Sequence, residues 1–252
     1  MFALKTLTSE KAEETFHNEA DMLGKFGGDG IQNVRLLAKI IEPFPGGPVK
    51  YSLLFPWAEQ DLDQYLNSTE IANPETEILW LAEQCHGLAV ALRFIHNPPH
   101  LKNEQGKALF GRHGDIKPEN ILWFKNDKRQ LLAFADMGLT KVHKDSSRSN
   151  IPGKDIPRTP HYRPPECDME GNQGHISRSF DIWTLGCVFL ELVVWILEGP
   201  TGVQDFKRQR KKPYLTDLYE TCLFFSLQKV PESKTEYAFQ VQDSVTEVSC
   251  SS

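Results

Sequence analysis

Two apolar segments, Ile121–Phe124 and Gln130–Ala135, flank Lys125-Asn126-Asp127 and predict a β-hairpin. The hairpin constrains more than its own backbone. Asn120 immediately precedes its first strand and Asp136 immediately follows its second, so pairing the strands brings two oxygen donors to one end. Hard oxygen ligands with room left for water and phosphate suit magnesium, which proteins usually hold with one or two groups plus substrate phosphates. Asp115, five residues before Asn120, is a second carboxylate able to accept a hydroxyl proton, and Lys117 can offset charge on a transferred group. Asp and Asn are ordinary turn residues when alone. Three of them around one hairpin weigh toward phosphate chemistry.

The hairpin sits between two differently patterned regions. Phe2–Leu7 reads as a short strand, and Ser9 is placed to cap a helix whose first turns carry Glu10, Glu13 and Glu14. On that helix Phe16, Ala20 and Leu23 form an apolar stripe, and Glu19 falls on the same face. A carboxylate on a buried face needs a cation. Gly27-Gly28-Asp29-Gly30 ends the helix, and Val34–Ile41 and Tyr51–Phe55 follow as strands joined by a turn from Pro43 to Pro48. From Trp57 the pattern turns helical, with a short helix at Asp61–Leu66 and a long one opened by Asn73-Pro74-Glu75. Ile78, Leu81, Cys85, Leu88, Leu92 and Ile95 mark the inner face of the long helix.

Ile182–Leu197 predicts another helix. Its length and its Thr184, Gly186 and Glu191 make it a buried core helix rather than a bilayer span of roughly 20 apolar residues. Beyond Gly199 a helix is expected at Thr216–Leu227, and the chain from Pro231 reads as loosely structured.

A net charge of -6 argues against a general nucleic-acid binder, and the basic run Lys207, Arg208, Arg210, Lys211, Lys212 reads as a solvated loop. Five scattered cysteines form neither a zinc pattern nor a disulfide framework, which fits a reducing compartment. The residues before Lys5 lack the apolar core of a signal peptide. The expectation is an intracellular chain, cytoplasmic or nuclear, acting with neither nucleic acid nor membrane.

The segments HGDIKPEN (His113–Asn120) and ADMGL (Ala135–Leu139) resemble the catalytic loop and metal-binding turn of eukaryotic protein kinases of the serine/threonine type. FALK (Phe2–Lys5) resembles the strand whose lysine holds ATP phosphates, with Glu19 standing where a helix glutamate pairs with it. TPHYRPPE (Thr159–Glu166) resembles the end of the activation segment, and SFDIWTLGCV (Ser179–Val188) the buried helix beneath the catalytic loop. The order of five motifs makes the resemblance specific where any one alone would be weak.

The resemblance implies an α+β, two-lobe fold. Residues 1–55 would be a partial N-lobe with a small sheet and one helix, 56–58 the hinge, 59–200 a mainly helical C-lobe, and 201–252 a divergent, partly disordered segment. It implies ATP and magnesium as cofactors and a protein hydroxyl as acceptor. Asp115 would be the catalytic base, Lys117 a contact to the transferred phosphate, and Asn120 and Asp136 the metal ligands. Lys5 would contact the α and β phosphates. Phe55 resembles the gatekeeper, Pro56 and Ala58 belong to the adenine-binding hinge, and Ala3 and Leu122 would close over the base.

The chain departs from the family pattern in places. Gly114 replaces the arginine before the catalytic aspartate, so phospho-activation through that arginine is not expected, and alanine at Ser146, Ser147, Ser149 and Thr159 should not act by losing it. Met137 replaces a phenylalanine and Pro164 an alanine. The strands and glycine-rich loop that cover ATP are missing ahead of Phe2, and the family's last helices are unmatched beyond Gly199. The expectation is a shortened gene model or degenerate copy, with the partner of Glu166 open. Two other readings are a catalytically weak or dead binding module and a small-molecule phosphotransferase, since HGD with a following asparagine also suits the latter.

Overall fold

The computed structural model describes residues 1–27, 31–34, 36–43, 47–126, 129–143, 161–167, 177–213, 220–229 and 237–248. Gly28–Gly30, Asp127, Ser146, Ser147, Ser149 and Thr159 lie outside the described residues. The chain forms two compact units, Met1–Tyr65 with Ala82–Ser146, and Leu66–Leu81 with Ser147–Ser252.

In the first unit, β1 (Phe2–Leu7), β2 (Ala38–Glu42) and β3 (Lys50–Pro56) form an antiparallel sheet in the order β1-β3-β2. The register sets Ala3 opposite Phe55 and Lys5 opposite Leu53. β2 starts later than Val34, because Val34 gives its N–H to the Phe134 carbonyl at 2.8 Å instead of joining this sheet. Helix α1 (Ala12–Phe26) buries Phe16, Glu19, Ala20, Leu23 and Phe26, which is the expected stripe extended by one residue. Ser9 is not its cap. Lys11 holds that position without a side-chain bond, and Ser9 contributes only its carbonyl, to the Ala12 N–H at 2.9 Å.

After β4 (Gln60–Asp61) come α2 (Leu62–Ser68) and α3 (Pro74–His96). The Asn73 side-chain oxygen accepts the Glu75 N–H at 3.1 Å, satisfying an amide that has no intrahelical partner. The inner face of α3 buries Leu81, Leu88, Leu92 and Ile95, while Ile78, near the helix start, is 53% exposed and leaves the expected stripe. Strand β5 (Phe110–Arg112) precedes β6 (Ile121–Asn126) and β7 (Arg129–Phe134), with β8 (Lys141–His143) paired to β5. β6 and β7 form the expected hairpin, Ile121 opposite Phe134 and Asn126 opposite Arg129. Gln84 of α3 anchors it: its Oε1 accepts the Leu132 N–H at 2.9 Å and a Gln32 N–H at 3.1 Å.

The second unit is built on α4 (Arg178–Gln209), which runs through Gly199 at φ 70 and Pro200. Only glycine takes that φ without strain, and proline cannot donate to the preceding turn, so the helix breaks there and restarts. Among the described residues α3 and α4 are long and apolar enough to cross a membrane. α4 nevertheless buries Asp181 and Glu191, and Glu191 is ion-paired with Arg210, so its inner face is that of a core helix with its charges satisfied.

The chain then forms β9 (Lys212–Pro213) paired with β10 (Glu220–Thr221), β11 (Phe225–Lys229) paired with β12 (Tyr237–Val241), and α5 (Asp243–Glu247). The helix expected at Thr216–Leu227 is not formed: residues 220–221 and 225–227 lie in strands, while 216–219 lie outside the described residues. The stretch past Pro231 contains β12 and α5, although it was expected to be loose. Both corrections have one cause. Phe225 is almost fully buried in a hairpin with β12, and cross-strand pairing overrides the weak local helical pattern.

Arg210 is the centre of this unit, not part of a solvated loop. It is 1% exposed, its Nη2 donates to Glu191 Oε1 at 2.6 Å, and its guanidinium lies 3.8 Å from the Phe224 ring centre. Tyr162 OH donates to the other Glu191 oxygen at 2.8 Å, and Arg210 Nη1 donates to the Cys222 carbonyl at 3.2 Å. Gln242 Nε2 closes the cluster by donating to the Leu223 carbonyl at 2.8 Å.

Candidate active site

Three segments of the first unit meet at one lysine. Lys5 Nζ donates to both oxygens of Glu19, at 2.8 and 2.9 Å, and to Asp136 Oδ1 at 3.1 Å. Lys5 is therefore the cation that a buried Glu19 requires, and it also reaches a carboxylate 131 residues away in sequence. Burial pushes the Glu19 carboxyl above the ordinary carboxylate value, against the opposing pull of Lys5. For Lys5, burial works downward, but the hydrogen bond to Glu19 and the charge of Asp136 prevail and raise it. Burial likewise pushes Asp136 up, but the Lys5 charge and hydrogen bond and the Gly138 N–H outweigh it and hold the carboxyl below its usual value.

Asp136 sits in the left-handed region at φ 57, where its Oδ1 accepts the Gly138 N–H at 3.3 Å. A short polar side chain is among the few that tolerate this backbone. Next to it Met137 is fully buried and its sulfur accepts the Thr140 hydroxyl at 3.2 Å, so this adaptable side chain packs the turn into the interior.

The Asp136 carboxylate is lowered in the folded chain and contributes stability above the ordinary carboxylate range, which is lost as pH falls through its depressed value. Its side chain is 44% exposed, so the effect is small. Asp136→Asn should show a flatter loss of thermal stability than the parent below about pH 4. Superimposable acid limbs would show that the pair contributes nothing to folding.

The catalytic-loop candidates form a second cluster. The Ala135 N–H donates to the Asn120 carbonyl at 2.8 Å, which places Asn120 and Asp136 at the same end of the hairpin. Asn120 Nδ2 donates to Asp115 Oδ2 at 2.7 Å and to the Asp115 carbonyl at 2.8 Å. Using the amide nitrogen this way leaves the Asn120 Oδ1 as the atom offered to a cation. Lys117 Nζ stands 3.2 Å from Asp115 Oδ2. His113 Nε2 lies 3.2 Å from the Ala135 carbonyl, tying the loop to the end of β7.

Beside these clusters lies a cleft of about 430 Å³. Its lining brings together Ala3, Lys5, Glu19, Phe55, Pro56 and Ala58. Asn120, Leu122 and Asp136 line it as well. Asp115 and Lys117 do not line it and stand on the loop leading to Asn120. Trp57, within the expected hinge, lines it as well, and Val34, Gln60, Asp61, Gln64 and Glu119 line it without having been expected from the sequence. Adjacency in sequence was the available signal for Gln60, Asp61 and Glu119, whereas Val34 and Gln64 arrive only through the fold.

Among the described residues no group of three or more His, Cys, Asp or Glu side chains could hold a metal. The donor set present is one amide oxygen and one carboxylate, which fits magnesium completed by phosphate and water and does not fit a closed protein cage.

A family model described as "Protein kinase domain" matches residues 1–238. The ovarian-specific serine/threonine-protein kinase Lok of Drosophila melanogaster is 31% identical over 156 residues, 60% of this chain and 29% of that protein. Cyclin-dependent kinase 14 of Xenopus tropicalis is 28% identical over 216 residues, 85% of this chain and 44% of that protein. Mitogen-activated protein kinase 17 of Oryza sativa subsp. japonica is 30% identical over 185 residues, 72% and 27% respectively. The chain thus spans less than half the length of these curated relatives.

Proposed function

We propose, because this chain belongs to the protein kinase domain family, that it transfers the γ-phosphoryl group of ATP to a serine or threonine hydroxyl of a protein. The observation that carries this reading is the Lys5–Glu19–Asp136 cluster at the wall of the cleft, close in the chain fold to Asn120. In this reading Ala3 and Leu122 enclose adenine, Phe55 acts as gatekeeper, and the Pro56 carbonyl and Ala58 N–H bond the base, a reading supported by all five residues lining one cleft. Pro56 has no N–H to give, but the adenine amino group needs only an acceptor.

Lys5 binds the α and β phosphates, and Asn120 and Asp136 hold magnesium, which neutralises charge on the phosphates when bound. Asp115 accepts or orients the proton of the acceptor hydroxyl, and Lys117 offsets charge on the group in transit. The lobe boundaries at 1–55, 56–58, 59–200 and 201–252 belong to the same reading. So does an intracellular location, cytoplasmic or nuclear, which the four unbridged cysteines among the described residues support.

The test is a magnesium-ATP phosphorylation assay on the purified chain with a generic protein substrate, followed by phosphoamino-acid analysis. Phosphoserine or phosphothreonine that depends on magnesium supports the reading. Phosphate transferred only to small-molecule alcohols, or none transferred despite saturable ATP binding, would overturn it.

A further inference from the structure

The residue directly ahead of Asp115 is Gly114, with φ 85, a backbone conformation that strains any L side chain. The space above it is also taken. A Cβ on Gly114 would lie 3.3 Å from the Leu139 carbonyl oxygen, 3.4 Å from Arg112 Nε and 3.6 Å from Arg112 Nη2. The Arg112 guanidinium thus folds back over the very residue that separates His113 from Asp115, and the carbonyl closing the Asp136 turn borders the same space.

Arg112 is only 5% exposed, and an arginine is buried so deeply only where the surroundings hold its charge. Its backbone is anchored as well: it ends β5 opposite Lys141 of β8, the strand that follows the Asp136 turn. The loop is held at other points too: Asn120 Nδ2 donates to Asp115 Oδ2 at 2.7 Å and to the Asp115 carbonyl at 2.8 Å, and Lys117 Nζ stands 3.2 Å from Asp115 Oδ2. The Asp115 N–H reaches His113 Nδ1 at 3.3 Å, and the Thr140 hydroxyl reaches the His113 carbonyl at 3.5 Å. The Asn120 and Lys117 bonds hold Asp115 from the side that follows it in sequence, whereas Arg112 packs against Gly114 on the side that precedes it.

We propose that Arg112 is a positioning residue that clamps the Gly114 turn, and with it Asp115, against the Leu139 end of the Asp136 turn. The cation that the family carries one residue before the aspartate is supplied here from three residues before it, and Gly114 is required so that the guanidinium can lie there. The role assigned to Asp115 rests on the function proposed above, whereas the clamp itself does not.

The primary measurement is amide hydrogen exchange in Arg112→Met compared with the unaltered chain. The Asp115 and Thr140 amides should exchange at least about tenfold faster, while the Leu132 amide, bound to Gln84, keeps its rate. The kinetic counterpart is a fall in kcat of about tenfold or more with KM for ATP nearly unchanged, since small misplacement of a reacting group acts on turnover. Gly114→Arg, which restores the family residue, should be slower than the parent and not faster.

Should Arg112→Met fail to fold, Arg112→Lys carries the same comparison, because lysine keeps the charge and loses the planar fork. The same amides should then speed up by a smaller factor. Unchanged Asp115 and Thr140 exchange, or an equal rise at Leu132, would overturn the clamp. A parent chain that transfers no phosphate would overturn the proposed function, and the exchange comparison would still decide the clamp.

Discussion

Asp115→Asn is expected to lower phosphoryl transfer by about 10²-fold or more while leaving nucleotide binding close to that of the parent. The separation follows from geometry. Asp115 does not line the cleft, and its Oδ2 is engaged by Asn120 Nδ2 and Lys117 Nζ on the catalytic loop. An asparagine keeps the size of the side chain and loses the charge that draws a hydroxyl proton. Asp136→Asn should weaken both binding and transfer, because Asp136 lines the cleft and shares Lys5 with Glu19. Steady-state kinetics with a nucleotide-binding titration decides the matter. Transfer by Asp115→Asn within about threefold of the parent would remove that carboxylate from the mechanism.

Arg210→Met should destabilise the second unit by about 3–5 kcal/mol, as removal of one partner from a buried ion pair typically does. Glu191 and Arg210 are nearly inaccessible, with side-chain exposures of 4% and 1%, so the carboxylate left behind cannot recover its hydration. Burial already pushes the Glu191 carboxyl up, opposed by Arg210 and the Tyr162 hydroxyl. Without Arg210 it rises further, and a carboxyl raised in the folded state binds more protons folded than unfolded. The variant should therefore lose stability as pH rises above the ordinary carboxylate range, and a second change, Glu191→Met, should recover much of the loss. Urea titrations at several pH values measure both effects. A loss under about 1 kcal/mol would show that the cluster is dispensable.

Arg210 also shows why part of the fold was hidden in the sequence. Within Lys207–Lys212 nothing local distinguishes it from its neighbours, and its burial depends on Glu191, Phe224 and the Cys222 carbonyl, which the fold assembles. The same holds for β11, whose Leu223-Phe224-Phe225 approach suits a helix until β12 pairs with the strand. The first unit was more legible because its signals are local. Glu19 on the stripe of α1 asked for a cation, and the hairpin β6–β7 carried Asn120 and Asp136 to one end by pairing alone. The order of motifs then assigned residue roles that no single spacing could. What the sequence hid in this unit was position relative to the cleft, as with Val34 and Gln64, and the folding back of Arg112 over Gly114.

Lys5 has one charge and two carboxylates to share it, each carried by a different segment. Glu19 rides on α1 and Asp136 on the turn after β7. Whatever draws the ammonium toward one weakens its hold on the other, so the two acids compete through a common partner even though no bond joins them. Substitutions in α1 that only shift Glu19 will then behave as if they had been made at Asp136. Their free energies will not add when combined with changes at that turn, and a double-mutant cycle will report a coupling between two groups that never touch.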